Sequence, residues 1–246
     1  MKRKNILEDL KKKLSKGLYV KSSGTTGESK NIFRTPENLK HCNKAAIDSQ
    51  KITKNSRIYT VCKMEHAGGV LAQTLPAISI GADIVIEEFN VKRFIKEIHK
   101  YTHTHITPRQ AKIIINSKNF NEMDLSNIWI TCGSDCVDWE SIKAFVRRGA
   151  TFMANWGMSE IGPCAINIIF SNEDSINDYI SLAPNNLPIM GENFYCDYQI
   201  SDLNELIVKG DICIYDDWFF TGDLAIKKIK ISSYDESPVI YFLGRN

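Results

Sequence analysis

The sequence predicts an α/β protein: a layered, mainly parallel sheet flanked by helices, followed by a small antiparallel β-rich subdomain. Three observations carry this. Between residues 31 and 154, short β-branched runs alternate with helical stretches, the order produced when each parallel strand is reached by a helical crossover. After about residue 165, strands follow one another with only turns between them, as in an antiparallel sheet or partial barrel. Hydrophobic residues make up 43% of the 246 residues, ample for one large core or two smaller ones.

The elements can be justified in order. Ile6, Leu7, Leu10 and Leu14 recur at helical spacing among lysines, predicting an amphipathic helix stopped by Gly17. Such a basic helix either packs on the body of the protein or lies on a membrane surface. Leu18, Tyr19 and Val20 form a strand-like lead-in to S-S-G-T-T-G-E-S-K at 22–30, and 31–34 continues as a strand. Thr35-Pro36-Glu37-Asn38 has the cap and first-turn proline of a helix start, with the helix running to about residue 52. Strands are then expected at 56–62, 83–87, 103–107, 128–132 and 151–154, and helices at 68–80, 91–101, 108–115 and 139–148. In the second part, strands are expected at 198–200, 205–209, 212–214, 223–229 and 238–243. This divides the chain into a helix at 1–17, an α/β subdomain at 18–165 and a β-rich subdomain at 166–246.

A net charge of +2 makes no case for nucleic acid as a partner. No apolar run approaches the roughly 18 residues of a membrane span, so no integral membrane segment is expected. The basic N-terminus lacks the apolar centre of a signal peptide. Seven scattered cysteines, an odd number, read as reduced thiols of a cytoplasmic protein.

Four stretches carry chemistry. In 22–30, Gly24 and Gly27 permit positive φ and close approach of a ligand. Successive N–H groups, the hydroxyls of Ser22, Ser23, Thr25 and Thr26, and the Lys30 charge suit an anion. The stretch reads as a phosphate cradle or as a flexible Ser/Gly turn, and its spacing is not that of a Walker loop. Asn155-Trp156-Gly157-Met158-Ser159-Glu160 follows a predicted strand, at the end of a parallel sheet where ligands sit. It offers a ring for a purine, a hydroxyl for phosphate and a carboxylate for magnesium. It also reads as an ordinary strand exit with a buried tryptophan. Asp217 to Asp223, D-W-F-F-T-G-D, predicts a tight turn presenting a carboxylate, suited to a ribose diol or to capping a hairpin. Arg245 follows the last strand. His99, His103 and His105 cluster in the sequence, but 103 and 105 on one strand face read as structural, not as a metal site.

Taken together, S-S-G-T-T-G-E-S-K, W-G-M-S-E, N-E-L-I-V-K-G, W-F-F-T-G-D and L-G-R occur in the order characteristic of the adenylate-forming superfamily. That superfamily comprises acyl-CoA synthetases, peptide-synthetase adenylation domains and luciferases, and the resemblance spans about residues 18–246. It implies the large-domain core of an acyl-CoA synthetase-like fold, with 18–165 as the nucleotide-binding part. It implies activation of a carboxylic acid by ATP and Mg2+ to an acyl-adenylate, with release of pyrophosphate. The acyl group would then pass to a thiol, of CoA or of a phosphopantetheinyl carrier protein.

By resemblance, Ser22, Ser23, Gly24, Thr25, Thr26, Gly27 and Lys30 would hold the β- and γ-phosphates. Gly133, Ser134, Asp135, Asn155, Trp156 and Gly157 would line the adenine side, Trp156 replacing the family's usual tyrosine. Ser159 would meet the α-phosphate, Thr26 and Glu160 the magnesium, Asp223 the ribose hydroxyls, and Arg245 the ribose or phosphate. His66, Lys30, Glu160 and Arg245 would form the catalytic set, although His66 also reads as a structural residue at a helix start. Small apolar residues near Cys164 and Ala165 favour an uncharged acyl group. Only 21 residues precede the loop, and the chain stops at the family's hinge. The small C-terminal domain with its adenylation lysine is therefore expected either to have been cut from the chain or to be supplied in trans by a separate polypeptide, or the chain is a weakened enzyme; the alternative function is a non-catalytic nucleotide-binding module.

Overall fold

The structure, a computed structural model, describes residues 2–22, 30–231 and 236–246. In chain order the elements are α1 (Lys2–Lys16), β1 (Leu18–Lys21), β2 (Asn31–Arg34), α2 (Pro36–Gln50), β3 (Arg57–Thr60), α3 (Ala67–Val70), α4 (Thr74–Ser79), β4 (Asp83–Ile86) and α5 (Val91–Glu97). There follow β5 (His103–Ile106), α6 (Pro108–Ile115), β6 (Trp129–Gly133), α7 (Trp139–Arg147), β7 (Thr151–Met158), β8 (Gly162–Phe170) and α8 (Glu173–Leu182). The last part holds β9 (Ile189–Gly191), β10 (Asn193–Phe194), β11 (Asp197–Ile200), β12 (Glu205–Lys209), β13 (Phe219–Ile231) and β14 (Glu236–Arg245).

A seven-stranded sheet has the order β10-β8-β7-β6-β5-β3-β4. From β7 to β4 its neighbours run parallel, while β8 returns antiparallel on β7. The longer crossover helices start where the sequence supplies caps. Thr35 accepts from the Asn38 N–H at the head of α2, and Thr107 and Gln110 form a reciprocal capping box on α6. The main core joins Tyr59, Phe94, Phe145, Phe152 and Phe170, all buried. Each such side chain contributes about 1.5–3 kcal/mol relative to exposure. A five-stranded antiparallel sheet, β11-β12-β13-β14-β9, packs its own cluster around Leu206, Val208, Ala225 and Ile240. The antiparallel sheet is tied to the helices flanking the large sheet where the Tyr241 hydroxyl of β14 donates to Tyr179 O of α8 (2.8 Å) and the Trp139 indole of α7 to Leu187 O before β9 (3.1 Å). The β1–β2 ribbon belongs to neither sheet.

Four local expectations are corrected. The helix expected at 68–80 is broken into α3 and α4, because the Thr74 hydroxyl bonds Gly69 O (2.7 Å) and Gln73 leaves helical geometry. The strand expected to end at residue 154 continues to Met158, because β8 folds back and pairs with it. Thr221-Gly222-Asp223 is not a turn: it lies inside β13 as an irregularity in the pairing with β12. Residues 212–214 are not a strand, since side chains claim their backbone. Arg34 bonds Ile212 O (3.0 Å), and the Asn38 amide bonds Asp211 O (3.0 Å) and Cys213 O (2.8 Å).

Candidate active site

Antiparallel register places Asp223 of β13 directly opposite Arg245 of β14. Asp223 accepts from Arg245 Nε through Oδ1 (2.9 Å) and from the Trp156 indole N–H through Oδ2 (2.8 Å). Arg245 Nη2 also reaches Met158 Sδ (3.9 Å). The carboxylate is aimed by its own backbone. Its N–H donates to Thr221 Oγ1 (3.0 Å), whose hydroxyl donates to Leu206 O (2.7 Å). Gly222, with φ +71° and open space around it, supplies a left-handed backbone just before the carboxylate. Trp156, Met158, Asp223 and Arg245, drawn from both sheets, thus form one face.

Burial pushes the Asp223 carboxyl above its ordinary value of 3.8, while the Trp156 bond and the Arg245 charge pull it back. A raised folded-state value means that the folded chain takes up this proton more readily than the unfolded one. Acidification through that range therefore relieves a cost to folding while removing a carboxylate that a ligand would use. Thermal stability is expected not to fall with acid through this group, and titration of Tm checks it.

A second cluster gathers at the mouth of the 22–30 loop. Ser22 N–H donates to Lys30 O (2.9 Å), and Lys30 N–H to Ser22 Oγ (3.0 Å), closing the loop's base. Lys21 N–H donates to Glu65 O (2.8 Å), and Lys21 bridges to His66 in parallel fashion. The Ser159 hydroxyl donates to Lys21 O (3.3 Å). His66 stands at the N-terminus of α3, and its Nδ1 is buried without a hydrogen-bond partner among the described residues. Ser23, Gly24, Thr25, Thr26 and Gly27 lie outside the described residues.

The end of β6 connects the two clusters. Gly133 sits opposite Asn155 in the parallel register, so Gly133 and Ser134 lie beside the strand that carries Trp156. Ser134 holds a left-handed backbone (φ +78°), a strain of about 1–3 kcal/mol of the kind found at binding loops. Its hydroxyl lies 2.7 Å from where a side chain on Gly68 would begin, next to the His66 segment. Asp135 turns back to accept from Cys136 N–H (2.7 Å). Glu160 follows Ser159 in the connection to β8, where its carbonyl accepts from Ile214 N–H (3.0 Å).

Sequence reasoning missed Arg34 and Glu65. Arg34 left a signal: in N-I-F-R the buried positions alternate, and arginine takes an inward one. No comparable signal marks Glu65.

The sequence profile of a family described as AMP-binding enzyme matches residues 20–222. The chain belongs to the AMP-binding enzyme family. Among relatives, an indoleacetate–CoA ligase of Aromatoleum aromaticum is 27% identical over 227 residues, covering 84% of this chain and 44% of that protein. ATP-bound MatB from Rhodopseudomonas palustris superposes with a TM-score of 0.72 at 16% identity, over 92% of this chain and 47% of MatB. The N-terminal domain of FACL13 from Mycobacterium tuberculosis gives 0.73 at 16% identity, over 94% and 61%. These superpositions establish the shared fold: a mixed sheet between helices with an antiparallel sheet beside it, as in the acyl-CoA synthetase large domain. The chain spans less than half the length of the ligase that it matches. Among the described residues no helix is long and apolar enough to cross a membrane.

Proposed function

We propose that this AMP-binding family member is the nucleotide-binding core of an acid–thiol ligase, which activates a carboxylic acid with ATP to an acyl-adenylate and pyrophosphate. The observation that carries the reading is the convergence of Trp156, Asp223 and Arg245 on one face, with Ser159 reaching the base of the 22–30 loop. Trp156 packs on adenine and Asp223 accepts from the ribose hydroxyls. Arg245 steadies the ribose or phosphate, and Ser159 meets the α-phosphate. Lys30 and the loop hold the β- and γ-phosphates, and His66 stands by the acid's carboxylate. The rate gain comes from alignment and charge neutralisation for in-line attack on phosphorus.

Among the described residues no group of three or more His, Cys, Asp or Glu side chains is arranged to hold a metal. By resemblance the Glu160 carboxylate and the Thr26 hydroxyl, the latter outside the described residues, would hold magnesium, oxygen donors of the kind that ion takes. Bound magnesium supplies Lewis-acid charge at the phosphates. CoA or a carrier-borne thiol is the acceptor.

Carboxylic acid-dependent exchange of labelled pyrophosphate into ATP, screened over an acid panel with the family's small C-terminal domain supplied in cis or in trans, tests the reading. Exchange with one class of acid is expected. ATP binding without exchange for any acid would leave a nucleotide-binding module instead.

A further inference from the structure

Arg34 ends β2, one element beyond the loop, and its side chain is fully buried. Its guanidinium donates twice to Ser159 O, from Nε (3.2 Å) and Nη2 (2.6 Å). Nη1 reaches Ile212 O (3.0 Å), Cys42 Sγ (3.1 Å) and Asn38 Oδ1. Every one of these acceptors is neutral. Asp211, whose carbonyl accepts from the Asn38 amide, faces its carboxylate to His41 Nδ1 (3.6 Å) and not to Arg34. Among the described residues, no carboxylate lies within salt-bridge distance of Arg34.

A buried cation without a counter-charge is among the costliest groups that a fold can hold, even when its hydrogen bonds are satisfied. A fork that spans three segments at once is a task for arginine and not for lysine. This charge stands directly behind Ser159, whose hydroxyl on its other side bonds Lys21 O at the loop base. We propose that Arg34 is the fixed counter-charge of the phosphate site. It does not touch the ligand. It positions Ser159 against the loop and holds a positive potential that the nucleotide's phosphates offset. In a low-dielectric wall such a potential is screened little by salt. The inference rests on the ATP-binding reading above and adds a residue to it.

The consequence is a graded one. The contribution of Arg34 grows with the negative charge on the ligand, strongest for ATP, weaker for AMP and absent for adenosine. A merely structural role would weaken all three alike.

Calorimetric titration of the full chain with ATP, AMP and adenosine tests this, using Asn38→Asp, Asn38→Ala, Arg34→Lys and Arg34→Met. Asn38→Asp keeps the shape and sets a carboxylate on Nη1, neutralising the charge with the guanidinium in place. Asn38→Ala loses the same amide donors without adding charge. In N38D, ATP affinity is expected to fall about tenfold and adenosine affinity less than about twofold, the size of a partly screened charge pair. N38A is expected to leave the ratio of ATP to adenosine affinity unchanged. R34K retains that ratio in part and R34M loses it; should R34M fail to fold, the Asn38 pair decides. Equal losses for ATP and adenosine in N38D, or unchanged ATP affinity, overturn the inference and leave the ATP-binding reading standing. A wild-type chain that binds neither ATP nor adenosine removes that reading, and this one with it.

Discussion

Replacing Asp223 by alanine is expected to lower affinity for ATP, AMP and adenosine alike, by at least about a hundredfold each. The size follows from two lost bonds to a charged acceptor, each worth roughly 1.5–3 kcal/mol, where 1.4 kcal/mol is a factor of ten. The ligands fall together because the ribose is common to them, unlike the graded loss expected when the Arg34 charge is neutralised. The fold should survive. Arg245, a third exposed along its side chain, can turn to water, and removing a buried carboxylate relieves a desolvation cost. The Trp156 indole loses its partner, which offsets part of that relief. Calorimetry on the purified variant checks the outcome. Adenosine affinity within about threefold of wild type, less than one such bond is worth, would remove Asp223 from the ribose site.

The second large effect is on stability. Alanine at Gly157 would put its Cβ 2.3 Å from Gly162 O on the facing strand, well inside contact. The atom in the way is backbone in the β7–β8 pair, so no side chain can swing aside. Gly157→Ala is expected to destabilise the chain by about 2–4 kcal/mol, as overpacking against rigid structure does. Urea unfolding should show a lower midpoint with an unchanged slope. The folded fraction should also bind ATP more weakly, since Ser159 and Glu160 sit at the tip of the displaced hairpin. An unchanged midpoint would mean that the hairpin opens without cost.

What was legible in the sequence, and what was not, follows from the range of the interactions. Thr35-Pro36 and Thr107-Pro108 cap their helices through contacts three residues away, so local reading suffices. The family motifs are equally local, and with their order they indicated both the fold and its membership. The pairing of Trp156 with Asp223 spans two sheets, and only the resemblance put both residues in one site. Ile212-Cys213-Ile214 has a strand's composition, yet its carbonyls are claimed by Arg34 and Asn38 from the far end of the chain. The extension of β7 through Trp156 depends on β8 returning beside it, which no residue of β7 announces. Arg34 was legible only as an anomaly, a cation on the inward side of an alternating strand.

The standing of the β1–β2 ribbon outside both sheets has a thermodynamic consequence. Its inner face, Val20 and Ile32, packs into a satellite cluster with Leu10, Leu39 and Val70, and its remaining ties are the few bonds of Lys21 and Arg34. Opening it sacrifices that cluster and leaves the main core untouched. The ribbon is therefore a local unit, able to part from the body well below the free energy of global unfolding. If, as proposed, the phosphates are held at the ribbon, only its closed form binds them. Observed affinity is then the intrinsic affinity scaled by the closed population, so substitutions that only stiffen the ribbon would tighten binding without adding a contact.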